Sequence, residues 1–243
     1  MKKIRLPLID LLRGIVVAEM IAYHFIWNLV YLFHMEMRWY RGLPGYLWQQ
    51  SICWTFILLS GFCWNLGRSH LKRGLLTLWG GIMFSLVTAV AVPDSRVHFG
   101  ILTFMGSCTL LWILLHPLLK AVPPELGGSL SFGLFLTFWS WTKGLPLRLA
   151  GSLPFWGKFL LAYTGVPQKG FRSSDYFPLL PWMFLFAAGY FLYRVLEKYH
   201  LLEKLLSRGT LHPFNFLGKH SFLVYLFHQP GCYSLCTVLI FFL

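Results

Sequence analysis

The run from Leu8 to Phe33 is long and apolar enough to cross a bilayer, yet it holds Asp10, Arg13, Glu19, His24 and Asn28. An ionisable group in hydrocarbon costs on the order of 3 kcal/mol or more unless it faces protein, water or a partner. With about 100° between successive helical residues, Asp10, Arg13, His24, Asn28 and Tyr31 share a stripe about 60° wide, and Glu19 points elsewhere. A membrane helix carrying such a stripe must turn it toward other helices. The remainder of the chain has to supply a bundle, and the stripe has to line a site or a path.

Composition agrees. The 243 residues are 57% hydrophobic and 12% charged, against roughly 25% charged in soluble domains. Spans are predicted at 8–33, 46–66, 74–92, 99–119, 128–142, 178–195 and 216–241. The expected fold class is therefore all-α, a polytopic transmembrane helix bundle of about seven spans forming one domain over 1–243. A net charge of +13 would suggest nucleic acid in a soluble protein. Here Lys and Arg gather in short loops, which sets orientation with a cytoplasmic N-terminus and leaves no case for nucleic-acid binding. Lys2 and Lys3 before an apolar run mimic a signal peptide, but Asp10 and Arg13 interrupt that run, so an uncleaved first helix is expected. The five cysteines fall within predicted spans at spacings that fit no metal site.

Short connections after the first four spans make successive helices antiparallel neighbours. The exception is 143–177, which carries an apolar piece at 152–166, read as a re-entrant or interfacial helix or as an eighth span. Residues 194–211 alternate charged residues with leucine and read as an amphipathic helix on the inner leaflet. No internal repeat is visible, so an inverted-repeat transporter gains no support.

The candidate site residues each carry two readings. His24 is either a helix–helix hydrogen-bonding residue or a general base, with Asn28 one turn on along the same face. Asp10 and Arg13, spaced i, i+3, form a structural pair, or Arg13 reaches a ligand phosphate with its planar fork. His98 is an interface histidine or part of an outer site. In Ser173-Ser174-Asp175-Tyr176-Phe177-Pro178, Ser174 or Asp175 caps the sixth span, or Asp175 and Tyr176 contact substrate. In the last span Pro230 leaves the Leu226 carbonyl without its amide, and His228 and Gln229 precede it on a helix expected to kink.

Taken together these blocks resemble the bacterial relatives of the heparan-α-glucosaminide N-acetyltransferase catalytic domain, a family of polytopic membrane acyltransferases. The resemblance rests on Ile9-Asp10-Leu11-Leu12-Arg13-Gly14 with Met20 and His24-Phe25, and on Phe99-Gly100-Ile101-Leu102. It continues through Asp175 to Trp182, Leu217 to Ser221, and Tyr225 to Pro230, in family order over nearly the whole chain. It implies an integral protein of a bacterial cytoplasmic membrane that moves an acetyl group from cytosolic acetyl-CoA to an amino sugar, glycan or lipid-linked saccharide on the far side. It also implies a catalytic histidine in or just after the first span, a role that His24 or His34 could fill. The chain departs from the bacterial pattern at Asn28, where the resemblance leads one to expect Asp, and at Thr103, where it leads one to expect His.

On this reading His24, His34, Asn28 and His228 are the catalytic candidates, and Arg13 with Asp10 would hold the acyl-CoA phosphates, helped by Lys2, Lys3 and Arg68. His98, Asp175, Tyr176 and Gln229 would meet the acceptor. Acetyl-CoA is the co-substrate, no metal is expected, and the bilayer and a second copy of the chain are the remaining candidate partners. The alternative class is a transporter or flippase of a polar or lipid-linked substrate, which would use the same polar stripe and final helix.

Overall fold

The computed structural model describes residues 6–141, 154–206 and 210–242, and among these every regular element is helical. In chain order they are α1 (Pro7–Trp27), a π turn (Asn28–Leu32), α2 (Arg38–Arg41), α3 (Leu43–Trp64) and α4 (His70–Ala91). Then come α5 (Ile101–Ala121), α6 (Pro124–Trp141), α7 (Phe155–Thr164), α8 (Leu179–Lys198), α9 (Leu202–Leu206), α10 (His212–Lys219) and α11 (Ser221–Phe241). Among the described residues, five stretches are long and apolar enough to cross a membrane: Pro7–Leu32, His70–Ala91, Ile101–Ala121, Leu179–Lys198 and Ser221–Phe241. α3 and α6 coincide with the other two expected spans but fall outside that set; α3 carries Gln49-Gln50-Ser51.

Three expectations change. The last span begins at Ser221, not residue 216, because α10 ends at Lys219 and the chain turns at His220. Residues 194–211 do not form one amphipathic helix: α8 runs on to Lys198, His200 takes a positive φ of 55°, and α9 follows as a short turn. Within the apolar piece at 152–166 the described residues hold the 10-residue α7, half the length that a single crossing requires, about 20 residues. The eighth-span reading is therefore set aside.

The chain divides into two compact units, residues 1–59 with 196–243, and residues 60–195. In the first, α1 lies against α10 and α11. Gly14 and Gly218 bring α1 and α10 into backbone contact: a Cβ on Gly14 would run into the Phe214 carbonyl, and one on Gly218 into the Asp10 carbonyl. Small residues permit such approach where lipid supplies no hydrophobic drive between helices. Asn215 fastens the same pair, donating to the Pro7 carbonyl at 2.8 Å and accepting from the Leu211 N–H at 2.8 Å. Along α11, Cys232 and Cys236 donate to the Ile21 and Phe25 carbonyls of α1. That gives two of the cysteines a packing role and leaves all five as free thiols.

In the second unit α4 and α5 pack through glycines, with Gly81 against Thr103 and Gly106 against the Leu78 backbone. Trp112, Phe104, Phe135, Leu185, Phe186 and Tyr190 fill its core. The outward side of α4 carries Leu75, Trp79, Leu86 and Val90, the kind of face that suits lipid, since α4 satisfies its own backbone.

Candidate functional site

α1 and α11 meet through four of the expected residues. His24 and His228 touch edge to face, ring centroids 4.7 Å apart. The Gln229 amide donates to Asn28 Oδ1 at 2.9 Å. His24 Nδ1 lies 3.0 Å from the Met20 carbonyl, and His228 Nδ1 is bonded to the Tyr225 carbonyl. A carbonyl oxygen can only accept, so both rings carry the proton on Nδ1, and in its neutral form each presents the Nε2 lone pair.

The group is incompletely satisfied. His228 Nε2, Asn28 Nδ2 and Gln229 Oε1 are buried without a hydrogen-bond partner, although Asn28 is wholly buried and His228 nearly so. Cys236 Sγ sits beside Asn28 but directs its proton to the Phe25 carbonyl. Leaving a buried polar atom unmet costs about 1–3 kcal/mol. Two acceptors and one donor are therefore left unmet, and a ligand with one carbonyl-like acceptor and two polar hydrogens supplies what they lack.

Local backbone geometry creates this arrangement. After Trp27 the helix widens into the π turn, with the Phe33 N–H reaching the Asn28 carbonyl at 3.0 Å. Such turns change the facing of the residues that follow. Asn28, Leu29 and Val30 become buried, while Tyr31 is left 46% exposed under Arg41. Tyr31 thus leaves the stripe that an undisturbed α-helix would have given it. His34, exposed with φ 57°, follows the turn, and its ring makes no hydrogen bond among the described residues. α11 runs continuously through Pro230.

At the other end of α1, Arg13 pairs with Asp10 at 3.3 Å and donates to the Gly218 carbonyl at 3.2 Å. The structural reading of this pair is thereby realised, with the guanidinium also tying α1 to the end of α10. Lys2 and Lys3 lie outside the described residues.

His98, Asp175 and Tyr176 belong to the second unit, where residues 95–99 and 173–177 clasp one another. Ser173 Oγ accepts from the His98 N–H at 2.8 Å and donates to the carbonyls of His98 and Asp175. The Phe177 N–H donates to the Phe99 carbonyl at 2.8 Å, and Tyr176 donates to the Ala162 carbonyl of α7. In sequence, Ser174 or Asp175 reads as a cap of the sixth span, with substrate contact the other reading of Asp175. Instead its Oδ2 accepts the Ile101 N–H at 3.1 Å, capping α5 across the clasp. Burial pushes its carboxyl up to about 6, against the opposing pull of that amide. Burial, and then the Arg96 charge, lower the His98 imidazole, and burial raises the Tyr176 phenol.

One cluster had no signal in the sequence. Trp64 stacks on His70 at 4.0 Å, with His116 4.8 Å away on the same indole. His116 Nδ1 lies 2.9 Å from the Tyr190 hydroxyl. These residues come from four separate helices, and neither periodicity nor spacing links them.

Among the described residues no group of three His, Cys, Asp or Glu is placed to hold a metal. No curated protein and no solved structure matches the chain. The family described as heparan-alpha-glucosaminide N-acetyltransferase, catalytic, matches residues 5–230, a range that contains every candidate residue named above except Lys2 and Lys3. With five helices apolar enough to cross a bilayer, this is an integral membrane protein, and the chain belongs to the heparan-alpha-glucosaminide N-acetyltransferase catalytic family of membrane acetyltransferases.

Proposed function

We propose that this protein transfers the acetyl group of acetyl-CoA to an amine or hydroxyl of an extracytoplasmic amino sugar, glycan or lipid-linked saccharide. The observation that carries the reading is the set of unmet polar atoms beside two Nδ1-anchored histidines. Asn28 Nδ2 is suited to the thioester carbonyl oxygen, where negative charge develops during attack. The Nε2 of His228 or His24 is suited to take the proton of the attacking amine or hydroxyl. The acceptor–carbonyl bond forms as the carbon–sulfur bond breaks, and the imidazolium returns its proton to the departing thiolate. Transient acylation of an imidazole is the covalent version of the same chemistry. His34 keeps the candidacy that the resemblance gave it.

Residues 1–243 act as one domain on this proposal, because the family match crosses both units. The apolar runs give about seven spans, and the loop charges favour an N-terminus in the cytoplasm. Arg13 and Asp10 would meet the acyl-CoA phosphates from the end of α1 opposite His24. Gln229, bonded to Asn28, would meet the acceptor.

Purified protein, labelled acetyl-CoA and a panel of amino sugars and lipid-linked saccharides test the assignment. Transfer that His24→Ala or His34→Ala abolishes supports it. Transfer to no acceptor, or transfer indifferent to both substitutions, defeats it. A transporter has no reason to be thermally stabilised by coenzyme A, so a melting shift that persists with dephospho-coenzyme A, which lacks the ribose phosphate, separates the two classes.

A further inference from the structure

In the second unit, the end of α3, the start of α4 and the ends of α5 and α8 surround Trp64. His70 lies flat on the indole at 4.0 Å and 12°, and His116 approaches the same ring. Arg73 and His116 face His70, while Lys120 and Arg194 face His116. Arg194 is already committed, because it donates to the Leu119, Lys120 and Val122 carbonyls and so caps the C-terminus of α5. Arg73 and Lys120 are exposed at the rim, with Arg68 and Lys72 beside them. None of these four pairs with a carboxylate among the described residues.

Two further features face the same way. His70 Nδ1 is buried near the Gly67 backbone yet lacks a properly formed hydrogen bond. The 22-residue α4 begins at His70 with no side-chain cap from Ser69, so its first amides and the positive end of its dipole are also unmet. Loop charges that orient a membrane chain account for Arg68 and Lys72. They do not account for two half-buried imidazoles gathered on one buried indole, His70 stacked and His116 tilted at 43°, beside cations with no carboxylate partner among the described residues. Such a group repels itself unless an anion joins it. Arginine, imidazole and helix amides together favour a phosphate oxygen set.

We propose that Trp64, His70, Arg73, His116 and Lys120 form a binding site for a phosphate monoester. Arg73 and Lys120 neutralise its charge at the rim, the imidazoles donate to its oxygens, and Trp64 fixes the His70 ring. A membrane phosphatidic acid headgroup and the ribose phosphate of a soluble nucleotide such as coenzyme A share this chemistry. The site stands on residues distinct from the His24–His228 group, so it does not depend on the acetyl-transfer assignment.

The test compares intact protein with Arg73→Gln and Lys120→Gln, whose exposed side chains can change without disturbing the fold, as a melting curve verifies. One arm measures coenzyme A against dephospho-coenzyme A by equilibrium dialysis in detergent. The other measures phosphatidic acid against phosphatidylcholine by retention in mixed-lipid nanodiscs. A preference of about tenfold for the monoester in either arm, lost in Arg73→Gln, supports the site and identifies its source. No preference in either arm overturns it, as does a preference that both substitutions leave intact. Acetyl transfer surviving in Arg73→Gln while monoester binding is lost separates this site from the reaction. Failure of the transfer assay alone leaves the binding result standing.

Discussion

His24 and His228, 204 positions apart in the chain, meet ring edge to ring face with centroids 4.7 Å apart, and each is anchored through Nδ1 to a carbonyl of its own helix. Two imidazoles so held present unprotonated Nε2 atoms in their neutral forms. Replacing either by Gln is expected to lower acetyl transfer by about 10²-fold or more, the usual scale for a positioned general base. The double substitution should lose little beyond the worse single one, since groups that act together are not additive. Initial rates with labelled acetyl-CoA check both statements.

Asn28 and Gln229 couple across α1 and α11 through one amide hydrogen bond. Asn28→Leu or Gln229→Leu strands the partner in a buried setting and should destabilise by about 1–3 kcal/mol, whereas the double change removes both needs at once. A double-mutant cycle on unfolding in detergent should therefore give a coupling of about 1 kcal/mol. Strict additivity would deny the pairing.

Gly14 and Gly218 leave no space for a side chain, because each faces a backbone carbonyl of the other helix and not a movable group. Overpacking of this kind usually costs about 1–3 kcal/mol. Against rigid backbone, Gly14→Ala or Gly218→Ala should reach the upper end of that range. A fall in melting temperature and loss of folded yield measure it, and Gly231→Ala, where a Cβ meets nothing, is the control.

Asp175 titrates at about 6 in the folded protein against an ordinary 3.8. The folded state thus holds this proton more tightly than the unfolded chain does. Stability from this group is fully present below about pH 4 and is lost as pH rises through about 6. The clasp between residues 95–99 and 173–177 should melt earlier at pH 7.5 than at pH 5. Asp175→Asn, which keeps an oxygen for the Ile101 N–H, should flatten that dependence, measured as melting temperature against pH.

Much of this protein was legible along the chain. Apolar runs set the long helices, because a backbone in hydrocarbon must satisfy its own hydrogen bonds whatever its neighbours do. The narrow polar stripe marked His24 and Asn28 as inward-facing, since helical periodicity is a local property. The His228-Gln229-Pro230 block announced a second polar face for the same reason.

Where these residues point was decided by longer-range geometry. The π turn after Trp27, which removed Tyr31 from the stripe, has no periodic signature. Arg13 found the Gly218 carbonyl, Asp175 found the start of α5, and Trp64, His70 and His116 found one another, each across distant segments. Sequence by itself determined which segments are helices and which of their faces cannot tolerate lipid, because hydrophobicity and spacing act within a turn or two. Only tertiary structure decided which polar atoms are paired and which stay unmet, because a hydrogen bond needs its partner within about 3 Å and that partner lies elsewhere in the chain.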